Sequence, residues 1–424
     1  MNKSYSVAAS SLAPSHTPQN YARLIVAASL IFVLSEALPA AAQDQKNIVS
    51  KWNSVLLNEI ILNKSAPFEN TRQIALLNLS LYDAIEAVEQ KYELFDVKLA
   101  PVPDASAEAA AVAAGYTVLS GLFPQDNWTN LSSTYYHELS RIPDGQAKSK
   151  GITLGVEVAK QLLGNRKDDG TGDQFKNYSQ IQPLALSRPD QFPLPPPPTR
   201  TSAEYSADIN QSKDLGERDS KVRTPDQTEI ALFWSNTGVG TYGSAGHFTR
   251  VAQLIADQKN LSNAEEARLL ALVGVALADS AVSSVYWKIQ YKTQRPVDLI
   301  RAGDQEAKLV RDTDWKPLSP EIFYDYPSTL TTYAGATAAV LQSFFKTDNI
   351  TFSVDSISLP GVTRSFTSIS AAADEASRGR IYSGYHTPYA VRGGRDILGP
   401  AIGKFVAENF LKPNNAGKAT AAAQ

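Results

Sequence analysis

The chain has 424 residues, 20% of them charged and 43% hydrophobic, which supplies enough apolar mass for a sizeable folded core. Its formal net charge of −3 gives no global basic field, so no nucleic-acid partner is expected and none is drawn by charge to anionic lipid. The absence of cysteine excludes disulfides, thiolate metal sites and cysteine nucleophiles, and only four histidines, His16, His137, His247 and His386, are available for imidazole chemistry.

At the N-terminus, Lys3 and Arg23 precede an apolar run from Leu24 to Leu34, and Ala40, Ala41 and Ala42 offer a small-residue cleavage site. That run is too short to span a bilayer but matches the apolar core of a signal peptide. Residues 1–42 therefore read as an export signal, and the mature chain as secreted or periplasmic with no stable membrane span. His16 would leave with the signal. Apolar residues at helical spacing then predict an N-terminal helical bundle within 43–165, with helices over Trp52 to Leu62, Thr71 to Tyr92, Ala105 to Leu122 and Gly151 to Leu163.

Residues 166–225 are polar and proline-rich, with four consecutive prolines from Pro195 to Pro198. Such a run cannot continue a helix and favours a stiff extended segment, read here as a connection wrapping over the surface near the functional pocket. A C-terminal bundle is predicted over 226–412. Ser262 and Glu265 form a capping box before a long apolar helix from Ala264 to about Thr293. Another helix runs from about Ser328 to Phe345, and a last one from Pro388, a residue suited to the first helical turn, to about Phe410. Residues 413–424 read as a disordered tail. No alternating strand series occurs, so the fold class is all-α.

Three segments carry the chemistry. In the first, Lys288 and Arg295 lie seven residues apart, on nearly one helical face, and Pro296 forces the arginine out of helical geometry. Two cations aimed at one point suit an oxyanion, the lysine as a point charge and the arginine bidentately. In the second, Pro327-Ser328 stands before a small-residue helix, so Ser328 is placed near an N-cap whose free backbone N–H groups favour anions. In the third, Arg380 and His386 are six positions apart and would diverge by about 120° on a helix, so they meet only if the chain turns at Ser383-Gly384. Pro388 then starts a helix whose dipole would favour the neutral ring of His386.

Taken in order, Lys-x6-Arg-Pro, Pro-Ser before a helix and Arg-x3-Gly-x-His resemble the three signatures of the vanadium-dependent haloperoxidases and PAP2-type acid phosphatases. The resemblance extends to Trp52-Asn53 and the helix after it, Leu76 to Val88, Ala105 to Phe123, and Phe233-Trp234 through Gly246-His247, which look like the bacterial haloperoxidase branch. It implies an α-helical fold built around two four-helix bundles with the anion site in the C-terminal part. It further implies that Lys288, Arg295 and Arg380 hold the oxygens of vanadate or phosphate, with Ser328 and the Thr329 N–H donating to them. His386 would be the histidine that binds vanadium or attacks phosphorus.

Three departures from the family pattern stand out. Pro-Ser-Gly-His reads Pro327-Ser328-Thr329-Leu330, so the proton-handling histidine is Leu330. The serine before the third-motif arginine is Gly379, and the aspartate four residues after the histidine is Ala390. His386 is therefore expected to lack the carboxylate that normally fixes its tautomer. The resemblance implies an oxidoreductase using vanadate as cofactor, with hydrogen peroxide and halide as substrates and activity lowered by Leu330. One alternative is hydrolysis of a phosphate or diphosphate ester through a phosphohistidine. Another is oxyanion binding without redox chemistry. The imidazoles of His247 and His137 and the hydroxyls of Tyr326, Thr331, Thr332 and Tyr385 are the groups left to replace the missing acid.

Overall fold

A computed structural model describes residues 47–124, 128–169, 181–236, 240–319 and 323–414. The expected export signal, and all but the first two residues of the expected tail, lie outside the described residues. The first five helices are α1 (Ile48–Leu62), α2 (Pro67–Glu89), α3 (Ala107–Leu122), α4 (Trp128–Arg141) and α5 (Gln146–Asn165). Asn47 caps α1 by accepting from the N–H groups of Val49 and Ser50, and the Ser106 hydroxyl accepts from Ala109 N–H to start α3. The alanine-rich face of α3 lets α5 come very close. A Cβ on Gly151 or Gly155 would collide with the Ser106 and Ala110 carbonyls.

The segment after α5 is only partly extended. Residues 181–202 run without regular structure, and their backbone is tied to the next bundle. Leu184, Ala185 and Leu186 donate their N–H groups to the fully buried carboxylate of Asp279, while Pro189, Leu194 and Pro195 carbonyls accept from Ser283, Tyr291 and Tyr326 hydroxyls. A helix, α6 (Ala203–Gly216), follows inside the stretch read from sequence as a proline-rich connection. It buries Tyr205, Asp208, Ile209, Ser212 and Gly216, a helical stripe disguised by two polar members.

The C-terminal elements are α7 (Pro225–Phe233), α8 (Gly243–Gln258), α9 (Asn263–Tyr291), α10 (Pro296–Ala302) and α11 (Thr329–Phe345). They are followed by α12 (Ile369–Tyr382), α13 (Pro388–Arg392), a π-helical turn over Gly393–Leu398, and α14 (Gly399–Asn409). The Ser262–Glu265 capping box that starts α9 is present with both of its reciprocal hydrogen bonds. At 29 residues α9 is long and apolar enough to cross a membrane, yet 89% of its most apolar window is buried in the protein. It packs against α2 on one side and α11 on the other, so it joins the two groups of helices.

Among the described residues the one sheet is an antiparallel hairpin, β1 (Phe352–Asp355) with β2 (Thr363–Phe366), in register Phe352 to Phe366. The last predicted helix runs unbroken from Pro388 to Asn409, with a π-helical turn in its middle. Gly393 and Gly394 in the π-helical turn lie against the Tyr326 ring and the Ser328 carbonyl, where a Cβ would not fit. That close approach seats the third sequence motif on the N-terminus of α11. Beyond α14, Asn414 donates to the Lys91, Gln90 and Tyr92 carbonyls.

Candidate active site

Lys288 lies in the last turn of α9, which ends at Tyr291, and is buried against the strap Phe323–Tyr326. Its Nζ donates to two successive strap carbonyls, Tyr324 O at 2.6 Å and Asp325 O at 2.9 Å. Arg295 sits outside helical geometry at the N-cap of α10, φ −73° and ψ 157°, as a residue before proline must. Its Nε donates to the Phe323 carbonyl, and its Nη1 to the Tyr385 carbonyl at 2.8 Å. Three consecutive strap carbonyls are thus held by the two cations of the first motif. Thr293, between those cations, fixes the strap again by accepting from Asp325 N–H and Tyr326 N–H.

Arg380 lies in the last turn of α12, and the chain then turns tightly over it. The N–H groups of both Tyr385 and His386 donate to the Arg380 carbonyl at 3.2 Å, and Gly384 takes a φ of 73°, in the left-handed region that favours glycine. This turn brings the Arg380 guanidinium over the Tyr385 ring, 3.9 Å from its centroid, and returns His386 to the same side. Arg295 Nη1 lies 3.0 Å from His386 Nε2 and 3.3 Å from Nδ1. Near-equal approach to both ring nitrogens places this nitrogen over the ring rather than along either lone pair.

The His386 ring is buried, and its Nδ1 is 2.7 Å from Asp325 Oδ1. The expectation that His386 lacks an orienting carboxylate is therefore incorrect. Ala390 does leave position 390 without one, but the strap ahead of Ser328 delivers Asp325 from another part of the chain. Its second oxygen accepts from the Thr387 hydroxyl at 2.6 Å and from Thr387 N–H at 3.4 Å. The signal in the sequence was an acidic residue three positions before Ser328, in a stretch otherwise aromatic and proline-bearing. Burial pushes the Asp325 carboxyl up to about 6, against the pull of Arg295, Thr387 and Lys288. Burial first, then Arg295, Lys288 and Arg380, hold the His386 imidazolium well below its ordinary range. Burial, and not the expected helix dipole, is the largest cause.

A cavity of about 200 Å³ opens in front of this wall, large compared with the roughly 30 Å³ share of one liquid water. Lys288, Arg295, Thr329, Arg380 and His386 line it, with Asn236, Ser244, Phe68, Phe323, Leu330 and Tyr333 around the rest. Five of the six residues predicted from sequence thus meet at one space. The sixth, Ser328, is wholly buried beside Thr329 as the N-cap of α11, and its hydroxyl has no hydrogen-bond partner among the described residues. The Thr329 hydroxyl is in the same condition. Among the described residues no carboxylate lines the cavity, and no three His, Cys, Asp or Glu side chains cluster as a cation site. A donor set of three cations, two hydroxyls and a helix N-terminus fits a tetrahedral oxyanion.

The side chains considered as replacement acids fare differently. Leu330 occupies the cavity wall and is 6% exposed. His247 is buried in α8, stacked on Trp234 with centroids 4.6 Å apart, and reaches the cavity only through contact of its Nδ1 with the Asn236 amide. Burial lowers the His247 imidazolium to about 4. The hydroxyls of Tyr326, Thr331 and Thr332 are already donated to the carbonyls of Pro195, of Ser328 and Val391, and of Ser328 respectively. His137 lies on α4, largely exposed and paired with Glu138.

Comparison with known proteins accords with this geometry. A family model described as the VCPO second helical-bundle domain matches residues 268–415, the stretch that carries all three motifs. The vanadium chloroperoxidase of Curvularia inaequalis is 25% identical over 198 residues, which is 40% of this chain and only 32% of that protein. The crystal structure of a bacterial vanadium-dependent iodoperoxidase superposes with a TM-score of 0.76 at 22% identity, covering 88% of this chain and 97% of that one. A holo-type bacterial vanadium-dependent chloroperoxidase gives 0.63 at 14% identity, over 81% of this chain and 92% of that one. Over residues 268–415 the chain thus matches the VCPO second helical-bundle domain, and its fold is similar to that of the bacterial vanadium-dependent haloperoxidases.

Proposed function

We propose that the cavity binds vanadate on His386 and that the exported protein catalyses peroxide-dependent oxidation of halide. The observation that carries this reading is the convergence of Lys288, Arg295, Arg380 and His386 on one cavity wall without a carboxylate among its lining residues. Lys288, Arg295 and Arg380 would neutralise the oxyanion, and Ser328 and Thr329 would donate to its oxygens. His386, neutral and with Nδ1 facing Asp325, presents Nε2 as the ligand atom. When bound, vanadate supplies a Lewis-acidic centre that activates peroxide toward two-electron oxidation.

The net reaction consumes one halide, one hydrogen peroxide and one proton, and yields hypohalous acid and water. A proton must therefore be delivered at the cavity, and Leu330 has none to give. Loss of a general acid typically lowers turnover by about two to four orders of magnitude, so activity is expected to be low. Purified protein incubated with vanadate should oxidise iodide or bromide only when peroxide is present. Hydrolysis of p-nitrophenyl phosphate or a prenyl diphosphate, inhibited by vanadate, would instead assign a phosphatase. Silence in both assays would leave oxyanion binding without either reaction.

A further inference from the structure

We propose that Asp325 is the positioning residue of His386, a carboxylate supplied by the strap before Ser328 in place of one at position 390. Asp325 is wholly buried, and each of its oxygens has a partner in the His386–Thr387 dipeptide. The ring and the residue after it are therefore gripped by a single carboxylate, which leaves the imidazole little freedom to rotate. An ionised carboxylate can only accept, so Nδ1 must donate. The lone pair of the neutral ring is then fixed on Nε2.

The strap that carries Asp325 cannot drift. Its carbonyls at Phe323, Tyr324 and Asp325 are held by Arg295 and Lys288, and its N–H groups at Asp325 and Tyr326 by Thr293. The cations of the first motif thereby acquire a second task, to hold the segment that orients the histidine of the third. A carboxylate behind a ligating histidine sets the tautomer and raises the basicity of the ligating nitrogen, and removing it costs about 10–100-fold in affinity.

The inference rests on the reading of His386 as the residue that holds the oxyanion. It is tested on protein labelled with 15N-histidine, by long-range 1H–15N correlation spectra with His386 assigned from a His386→Gln variant. The wild-type spectrum should show His386 protonated at Nδ1 and bare at Nε2. In Asp325→Leu, which keeps bulk but removes both acceptors, the ring should shift toward the Nε2–H tautomer, and orthovanadate binding measured by calorimetry should weaken by about 10–100-fold. An Nε2–H tautomer in the wild-type protein overturns the proposal. So does an Asp325→Leu spectrum that keeps Nδ1–H, or an altered tautomer with unaltered vanadate affinity. If Asp325→Leu does not fold, the wild-type spectrum alone decides. Vanadate binding that survives in His386→Gln would instead remove the reading of the site, and the tautomer result would still stand or fall on its own.

Discussion

Lys288 Nζ donates to the backbone carbonyl of Asp325 at 2.9 Å, and the side chain of that same aspartate meets His386 Nδ1 at 2.7 Å. Residues from three distant segments are thereby joined through one strap. Each cation of the first motif faces the cavity while fixing backbone behind it. Substitutions there should affect folding as well as binding, and the two effects can be separated.

Lys288→Met keeps the length and bulk of the side chain but removes its donors. The Tyr324 and Asp325 carbonyls then lose their lysine partner in a buried place, at about 1–3 kcal/mol for each unsatisfied group. Urea denaturation should show a midpoint shift corresponding to at least about 2 kcal/mol. A loss comparable to that of an exposed lysine would mean that the strap is held without it.

Ser328→Ala should behave in the opposite way. The hydroxyl is buried without a partner among the described residues, so its removal should leave stability unchanged or slightly raised. A hydrogen bond to a charged group is worth about 1.5–3 kcal/mol, so vanadate affinity should fall by about 10–100-fold. Thermal unfolding and vanadate titration of the same preparation check the pair. Equal loss of both properties would assign Ser328 a purely structural part.

Leu330→His restores a titratable group to the cavity wall. Turnover should rise by about 10²–10⁴-fold, the usual yield of a positioned general acid. Vanadate affinity should not fall, because the substitution removes no donor to the anion. Steady-state kinetics at saturating peroxide measure the first, calorimetry the second. No gain in turnover with vanadate bound would show that proton delivery is not the limiting step.

His247 makes a prediction about pH. Its folded imidazolium pKa, lowered to about 4 by burial, lies below the ordinary value of 6.5, so the unfolded chain binds the proton first as pH falls. Its contribution is fully present above about pH 6.5 and is lost as pH falls toward 4. Integrated over that interval, the loss is about 3 kcal/mol. His247→Gln, which cannot protonate, should be less stable than the wild-type protein at pH 7.5 and should close that gap by pH 4.5. A gap independent of pH would remove the buried-neutral assignment.

How much of this was legible in the sequence follows from how local each signal is. The capping box at Ser262 and the apolar stripes of α2 and α9 are written within a few turns, and the structure has them. The helix α4 was not read because only Leu131, Glu138 and Leu139 are buried along it, too thin a stripe to stand out. Helix α12 buries Glu375, Ser377 and Arg380 among its alanines, so its inner face looks polar. At the site, Lys288, Arg295, Arg380 and His386 were legible because each lies in a motif with its own spacing. Asp325 was not, because its partner is 61 residues away and no spacing rule links a strap to an imidazole beyond it. The missing carboxylate at Ala390 was read correctly as a substitution and incorrectly as a loss.

The most direct test is calorimetric titration of the purified protein with orthovanadate, wild type beside His386→Ala. The wild-type protein should show one saturable site per chain, and the variant no measurable heat from that site. Absence of binding by the wild-type protein, or equal binding by both, would contradict it.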